Sequence, residues 1–137
     1  MELSFSLKVA ATSSQVWEYY EKIENWKVWE IDLEHISLEG AFITGTKGSM
    51  TLKGMPSMAI TLTSVVKNKE FVDVTETPVG TVTFSHYIQE LSEGVIIRHS
   101  VKMDQDNQEL LPMLSGIFSD VPETMCLLKK VVESNGV

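Results

Sequence analysis

The sequence predicts an α+β domain in which a curved antiparallel sheet closes over a long C-terminal helix. Three observations support this fold class. Strand-like alternation of polar and apolar residues occupies most of the chain up to residue 103, and helical periodicity replaces it afterwards. All three tryptophans, Trp17, Trp26 and Trp29, lie in one short segment after the first strand. A curved sheet that touches one helix leaves a hollow, so we expect an apolar small molecule to bind there.

The N-terminal segment predicts one strand followed by two short helices. Alternation from Glu2 to Ala10 gives the strand one apolar face and one polar face. Thr12 with Gln15 three residues later forms a capping box, so a short helix should begin there and end near Tyr20. Trp26 and Trp29 are three residues apart, which places them on one side of a second helical turn within 24–29.

Six further strands follow, separated by turns rich in glycine and proline that are short enough for antiparallel hairpins. With the first strand, the predicted sheet therefore has seven strands. The six are Leu33–Leu38, Gly48–Lys53, Met58–Val66, Phe71–Glu76, Thr81–Glu90 and Val95–Met103.

The C-terminal segment predicts one long helix. Its apolar residues are spaced by three and four, which is the period of a single helical stripe, and the stripe keeps its phase across Pro122. We therefore expect one helix with a kink at Pro122 and a glycine stop at Gly136. The stripe consists of Leu110, Leu114, Ile117, Val121, Met125, Leu128 and Val132.

Composition limits the classes of function. A chain of 137 residues is the size of one domain, and its 11 basic and 19 acidic residues give a net charge of −8, which disfavours nucleic acid and anionic lipid surfaces. The N-terminus lacks the features of a signal peptide, and no stretch is apolar enough to span a bilayer, so we expect a cytoplasmic protein without integral membrane association. Cys126 should be a buried small hydrophobe rather than a nucleophile.

The order of elements and several loose motifs resemble the START-like superfamily, which includes birch pollen allergen proteins and the polyketide cyclase/dehydrase and lipid transport group (SRPBCC). The resemblance covers nearly the whole chain and implies one helix-grip domain over 1–137. In that fold a cavity lies between the sheet and the long helix. The matching residues are Val9–Thr12, Val16–Trp17, Trp26, Trp29, Gly45–Gly48, Phe84–His86, Gly116 and Val121–Pro122.

Apolar residues with inward phase are the candidate ligand-binding set, and several methionines would give this wall an adaptable shape. The alternative is that most of them pack a dry core. The candidates are Met50, Leu52, Met58, Ile60, Val72, Phe84, His86, Ile97, His99, Val101, Met103, Leu110, Met113, Leu114, Ile117 and Phe118, and the strand phases also turn Leu62 and Val74 inward.

His86 and His99 fall on the apolar faces of neighbouring strands. If residues 91–94 form a four-residue loop, Glu90 pairs with Val95 and the two histidines stand directly opposite each other. They could bind a ligand carboxylate or phenol, act as acid and base, or simply bond to each other, to tyrosines or to water. No third ligand is in register, so neither a metal nor a cofactor is expected.

Other charged residues should face solvent. His35 alternates with apolar neighbours, and Arg98, Asp73, Glu76 and Glu90 fall opposite the apolar strand faces.

Three hypotheses for function follow. The first is binding or transport of a small hydrophobic ligand, whether lipid-like, polyketide-like or aromatic. The second is a cyclase or dehydratase that uses His86 and His99. The third is a protein-interaction regulator with Trp26 and Trp29 exposed. The protein would be a monomer or a homodimer.

Overall fold

The structure is a computed structural model that describes residues 1–135. It contains seven strands that form one antiparallel sheet in the order β1-β7-β6-β5-β4-β3-β2. The prediction of the fold class is confirmed. The strands are β1 (Glu2–Val9), β2 (Leu33–Leu38), β3 (Lys47–Leu52), β4 (Met58–Val66), β5 (Glu70–Thr77), β6 (Gly80–Glu90) and β7 (Val95–Met103).

Helices follow the first and last strands. After β1 come α1 (Ser13–Glu21), a 3₁₀ turn (Ile23–Asn25) and α2 (Trp26–Trp29), and after β7 come a 3₁₀ turn (Gln108–Leu110), α3 (Leu111–Phe118) and α4 (Val121–Asn135). None of the helices within residues 1–135 is long and apolar enough to cross a bilayer.

The start of α1 has the predicted capping box. The Thr12 hydroxyl accepts the Gln15 amide at 3.2 Å, while the Gln15 side chain accepts the Thr12 amide at 2.8 Å. These bonds satisfy two backbone donors that the first helical turn would otherwise leave free.

The C-terminal helix is interrupted rather than kinked. Ser119 and Asp120 separate α3 from α4, and Pro122 lies in the first turn of α4. A proline costs little at that position because the first amides of a helix have no intrahelical partner. The prediction of one helix kinked at Pro122 is therefore wrong in detail. The glycine stop predicted at Gly136 lies outside the described residues.

Strand β5 faces the opposite way from our prediction. Phe71, Asp73 and Thr75 are buried on the inner face, so Val72 and Val74 lie on the outer face, where each is only partly buried. The prediction of an exposed Asp73 is wrong. The β4–β5 pairing contains a register irregularity between Leu62 and Ser64, a feature that the alternation of the sequence does not indicate.

Two further predictions about burial are corrected. Cys126 is exposed, because the buried side of α4 consists of Thr124, Met125, Leu128 and Val132. Trp26 and Trp29 are 4% and 1% exposed, which counts against the hypothesis that they form an exposed interaction patch. Their indole N–H groups donate to backbone carbonyls of α1, so burial leaves neither donor unsatisfied.

Candidate functional site

A cavity of about 550 Å³ lies between the inner face of the sheet, α2, and the α3–α4 segment. Its volume is within the range of small-molecule sites. Lys53, Met55 and Met113 line it and are also exposed, so they mark its mouth between the β3–β4 turn and α3.

Nine of the sixteen candidate residues line this cavity, and seven do not. Four of the seven, Ile60, Ile97, Met103 and Leu114, are buried in packed core instead, and Val72 lies on the outer face. Leu110 and Phe118 pack against the cluster around Leu114. The lining candidates are Met50, Leu52, Met58, Phe84, His86, His99, Val101, Met113 and Ile117.

The histidine pair has the predicted register. Glu90 pairs with Val95 and His86 pairs with His99, and the two rings lie 4.7 Å apart, edge to face. The His86 ring also stacks on Phe71 at 3.8 Å. Burial lowers the pKa of His86 to about 4 and, together with the neighbouring His86, lowers the pKa of His99 well below its ordinary value. Both rings are therefore neutral at pH 7.

Hydrogen bonds define the polarity of each ring. His86 Nδ1 lies 3.1 Å from the carbonyl oxygen of Phe71, which can only accept, so Nδ1 carries the proton and Nε2 is an acceptor. The Tyr20 hydroxyl lies 2.7 Å from His99 Nε2. Burial and the charge of Glu30 raise the pKa of Tyr20 well above its usual range, so the hydroxyl keeps its proton and the bond joins two neutral groups.

Four carboxyl groups line the cavity: those of Glu30, Asp32, Asp73 and Asp120. Burial raises the pKa of Asp73 to about 7. Burial, followed by the charges of Asp120, Asp73 and Asp32, raises the pKa of Glu30 to about 8. The pKa of Asp120 is also raised, first by burial and then by a hydrogen bond to Asp32, a bond that requires a shared proton.

Three buried hydroxyl groups that line the cavity have no hydrogen-bond partner. Thr75, Ser100 and Thr124 are 6%, 2% and 3% exposed, and the hydroxyl oxygen of each is unpaired in the structure. Buried polar atoms are nearly always hydrogen-bonded in proteins, so these three atoms indicate positions where a bound molecule would supply a partner.

Sequence reasoning missed most of this polar wall. Asp73 and Thr75 share an alternation phase with Phe71, which was a usable signal for one inner face. Glu30, Asp32 and Asp120 come together only through tertiary packing, and their spacing carries no signal. Within the described residues, no group of three or more His, Cys, Asp and Glu side chains is arranged to hold a metal ion.

Comparison with known proteins reveals structural relatives only. No family model and no curated protein matches the chain. Protein MLL2253 from Mesorhizobium loti has a TM-score of 0.81 at 9% identity, with 100% of both chains covered. Ara h 8.0201 has a TM-score of 0.76 at 11% identity, covering 98% of this chain and 99% of the other. DynU16, a protein in the dynemicin biosynthetic locus, has a TM-score of 0.76 at 10% identity, covering 98% of this chain and 48% of the other.

The three structural matches identify the fold of the chain. The chain has a helix-grip fold, the architecture that the sequence resemblance predicted. At such low identities the likeness shows the fold alone, because one fold hosts many functions. The function must therefore be argued from the cavity.

Proposed function

We propose that the protein binds a small, mostly apolar molecule in the cavity between the sheet, α2 and α3. The observation that carries this proposal is a space of about 550 Å³ whose wall also holds buried, unpaired hydroxyl groups. Protein interiors are normally packed as densely as organic crystals, and voids larger than a water molecule are few. A cavity of this size that opens to solvent exposes its apolar lining to water, and covering that lining with an apolar ligand is favourable.

The wall suits recognition of an apolar body with a few polar groups. Met50, Met58 and Met113 have flexible side chains that adapt to ligand shape. His86 Nε2 offers an acceptor, and the threonine hydroxyls can donate or accept. We assign ligand contact to the candidates that line the cavity and a supporting role to the buried candidates behind them.

An enzyme of cyclase or dehydratase type is the second candidate, and one observation favours it. Asp73 is a buried cavity carboxyl with a pKa of about 7, and proton transfer is most efficient when the catalytic pKa lies near the working pH. His86, with a pKa of about 4, is almost fully deprotonated at neutral pH, so it has no imidazolium proton to donate and is a weak base. The acid–base role would therefore pass from the histidines to Asp73, and Asp73→Asn would abolish turnover of a compound that the native protein converts.

The first experiment is native mass spectrometry of the freshly purified protein, followed by denaturing extraction of any bound compound. Adding that compound back at about a hundredfold excess over its dissociation constant should stabilise the fold by about 2.7 kcal/mol. A compound that travels with the protein but gives no such stabilisation would argue against cavity binding.

A matched pair of variants shows whether the compound occupies this cavity. Gly116 lines the cavity, and a Cβ atom built there has no atom within 4 Å, so Gly116→Leu should fill the space without disturbing the fold. Ser115→Leu adds the same side chain at an exposed position of α3 that does not line the cavity. We expect binding to be lost in Gly116→Leu and retained in Ser115→Leu. Equal affinities would contradict the proposed site.

A further inference from the structure

The cavity has an excess of negative charge that no protein cation balances. Glu30, Asp32, Asp73 and Asp120 line it, whereas Lys53 is the one lysine or arginine that does so within residues 1–135, and its side chain is exposed at the mouth. The four ion pairs found in the described part of the chain involve other carboxylates. The charge inside the cavity is therefore left for protons or a ligand to neutralise.

Asp73 is the most enclosed of these carboxyls. It is 4% exposed, it stands opposite Leu62 on one neighbouring strand and Phe84 on the other, and no hydrogen bond or ion pair joins its carboxyl group to another side chain. A buried, unpaired carboxylate is costly, and an apolar residue would fit the site more cheaply. The unpaired hydroxyls of Thr75 and Thr124 are independent signs that polar partners are missing here.

The remaining surface of the cavity suits a cation. Trp26 and Trp29 line it, and indole rings attract ammonium groups. An ammonium has three donors and no acceptor, which matches carboxylates, hydroxyl lone pairs and the free Nε2 of His86. A ligand carboxylate would instead be repelled by these acidic groups at the pH values where they are ionised.

We propose that the ligand is an amphiphilic amine, whose ammonium group is held by Asp73, Glu30 and the Thr75 and Thr124 hydroxyls while its apolar body lies along the methionine wall. This assignment rests on the proposed ligand-binding function and specifies its ligand class.

The proposal has a pH signature. Because Asp73 and Glu30 have pKa values of about 7 and 8, they carry protons near neutrality, and a bound ammonium would displace them. Amine affinity should therefore rise between pH 6 and pH 9, with protons released on binding. The titratable and charged groups that face or act on this site are Tyr20, Glu30, Asp32, Lys53, Asp73, His86, His99, Asp120 and Glu123.

The test compares three probes with one alkyl chain, decylamine, 1-decanol and decanoate, by titration calorimetry of the full chain below their micelle-forming concentrations. At pH 8 we expect decylamine to bind at least about tenfold more tightly than decanol. Decanoate should bind most weakly. Repeating the amine titration in buffers of different ionisation enthalpy measures the released protons. Equal affinities for amine and alcohol, or tightest binding of decanoate, would overturn the amine assignment.

Variants separate this proposal from the one on which it rests. Asp73→Asn and Glu30→Gln should each lower the ratio of decylamine affinity to decanol affinity, whereas Glu34→Gln, at an exposed position that does not line the cavity, should leave both affinities unchanged. Decanol binding without amine preference would refute the ligand class and leave cavity binding intact. If neither decylamine nor decanol binds, both proposals fail.

Discussion

The two ends of the hydrophobic interior differ in how completely they are packed. At the closed end, fourteen buried apolar residues from the sheet, α1, α2 and α4 form one cluster. At the hollow end, under α3, only four buried residues, Val82, Val101, Met103 and Leu114, form the corresponding cluster, and the cavity lies beside them. The same sheet therefore supports a dense core at one end and an open wall at the other.

Aromatic contacts strengthen the closed end. The Tyr20 ring lies 5.0 Å from Phe71 and 5.7 Å from Trp29, and Trp26 stacks on Phe71 at 5.5 Å. Such pairs contribute about 0.5–1.5 kcal/mol each beyond their buried area. Since Trp26, Trp29 and Phe71 also line the cavity, the rigid core supplies one side of the site. Because most of the packed core lies away from the cavity, mutations at the closed end should change mainly the stability of the fold, and mutations at the hollow end should change mainly ligand recognition.

The largest expected effect tests that separation directly. Leu128 is 0% exposed at the closed end, so Leu128→Ala should lower the free energy of unfolding by about 3 kcal/mol. Met58 is partly exposed and faces the cavity, so Met58→Ala should cost about 1 kcal/mol or less and change ligand affinity instead. Urea unfolding of both variants measures the difference. Similar losses of stability would mean that the hollow end is part of the cooperative core.

The second prediction concerns pH and the acidic wall of the hollow end. Asp73 and Glu30 have folded-state pKa values of about 7 and 8, above their ordinary values, so their contribution to stability is complete at low pH and is lost as pH rises through those values. His86 acts in the opposite direction, but only between its folded pKa of about 4 and its ordinary value of 6.5. Between pH 6.5 and 8.5 the carboxyls therefore dominate, and stability should fall by about 2 kcal/mol.

Urea unfolding at the two pH values measures this loss, and Asp73→Asn should reduce it. The exposed variant Glu34→Gln serves as the control and should behave as the native protein. A stability that stays constant over this interval would show that the two carboxyls are already ionised below pH 6.5.

Tyr20→Phe is the third prediction and probes the junction between the two ends. It removes the hydroxyl that is hydrogen-bonded to His99 Nε2 at 2.7 Å and leaves that buried ring nitrogen unpaired. We expect a loss of about 1–2 kcal/mol in the free energy of unfolding. Tyr19→Phe, which removes a hydroxyl that is bonded at the surface to Asn135, is the matched control and should cost less. Equal losses would argue against a special role for the Tyr20–His99 bond.

The closed end and the histidine register were predictable because local rules determine them. The capping box fixes the start of α1, and the four-residue loop after Glu90 places His86 opposite His99. The change to helical period after β7 indicates the C-terminal helices. Each of these signals lies within a few residues of the feature that it specifies.

The hollow end was harder to predict because its inner face is not uniformly apolar. The alternation rule assumes that the buried face of a strand is the apolar face, so Asp73 was assigned to solvent and Val72 to the interior. In β5 the inner face instead borders a cavity and carries Phe71, Asp73 and Thr75. The proximity of Asp32 to Asp120 depends on how the α3–α4 segment packs, which no local pattern encodes.

The smallest expected effect concerns Gly116, where the hollow end tolerates added atoms. Gly116 lies inside α3, and a Cβ built there meets no atom within 4 Å, so Gly116→Ala gains helix propensity without a clash. The gain should be about 0.5–1 kcal/mol in the free energy of unfolding, measured in urea. Gly48→Ala is the contrasting change, because its Cβ would collide with the backbone of Ser37, and it should destabilise the protein. If Gly116→Ala also destabilises the protein, α3 must pack more closely over the cavity in solution, and the volume available to a ligand would be smaller.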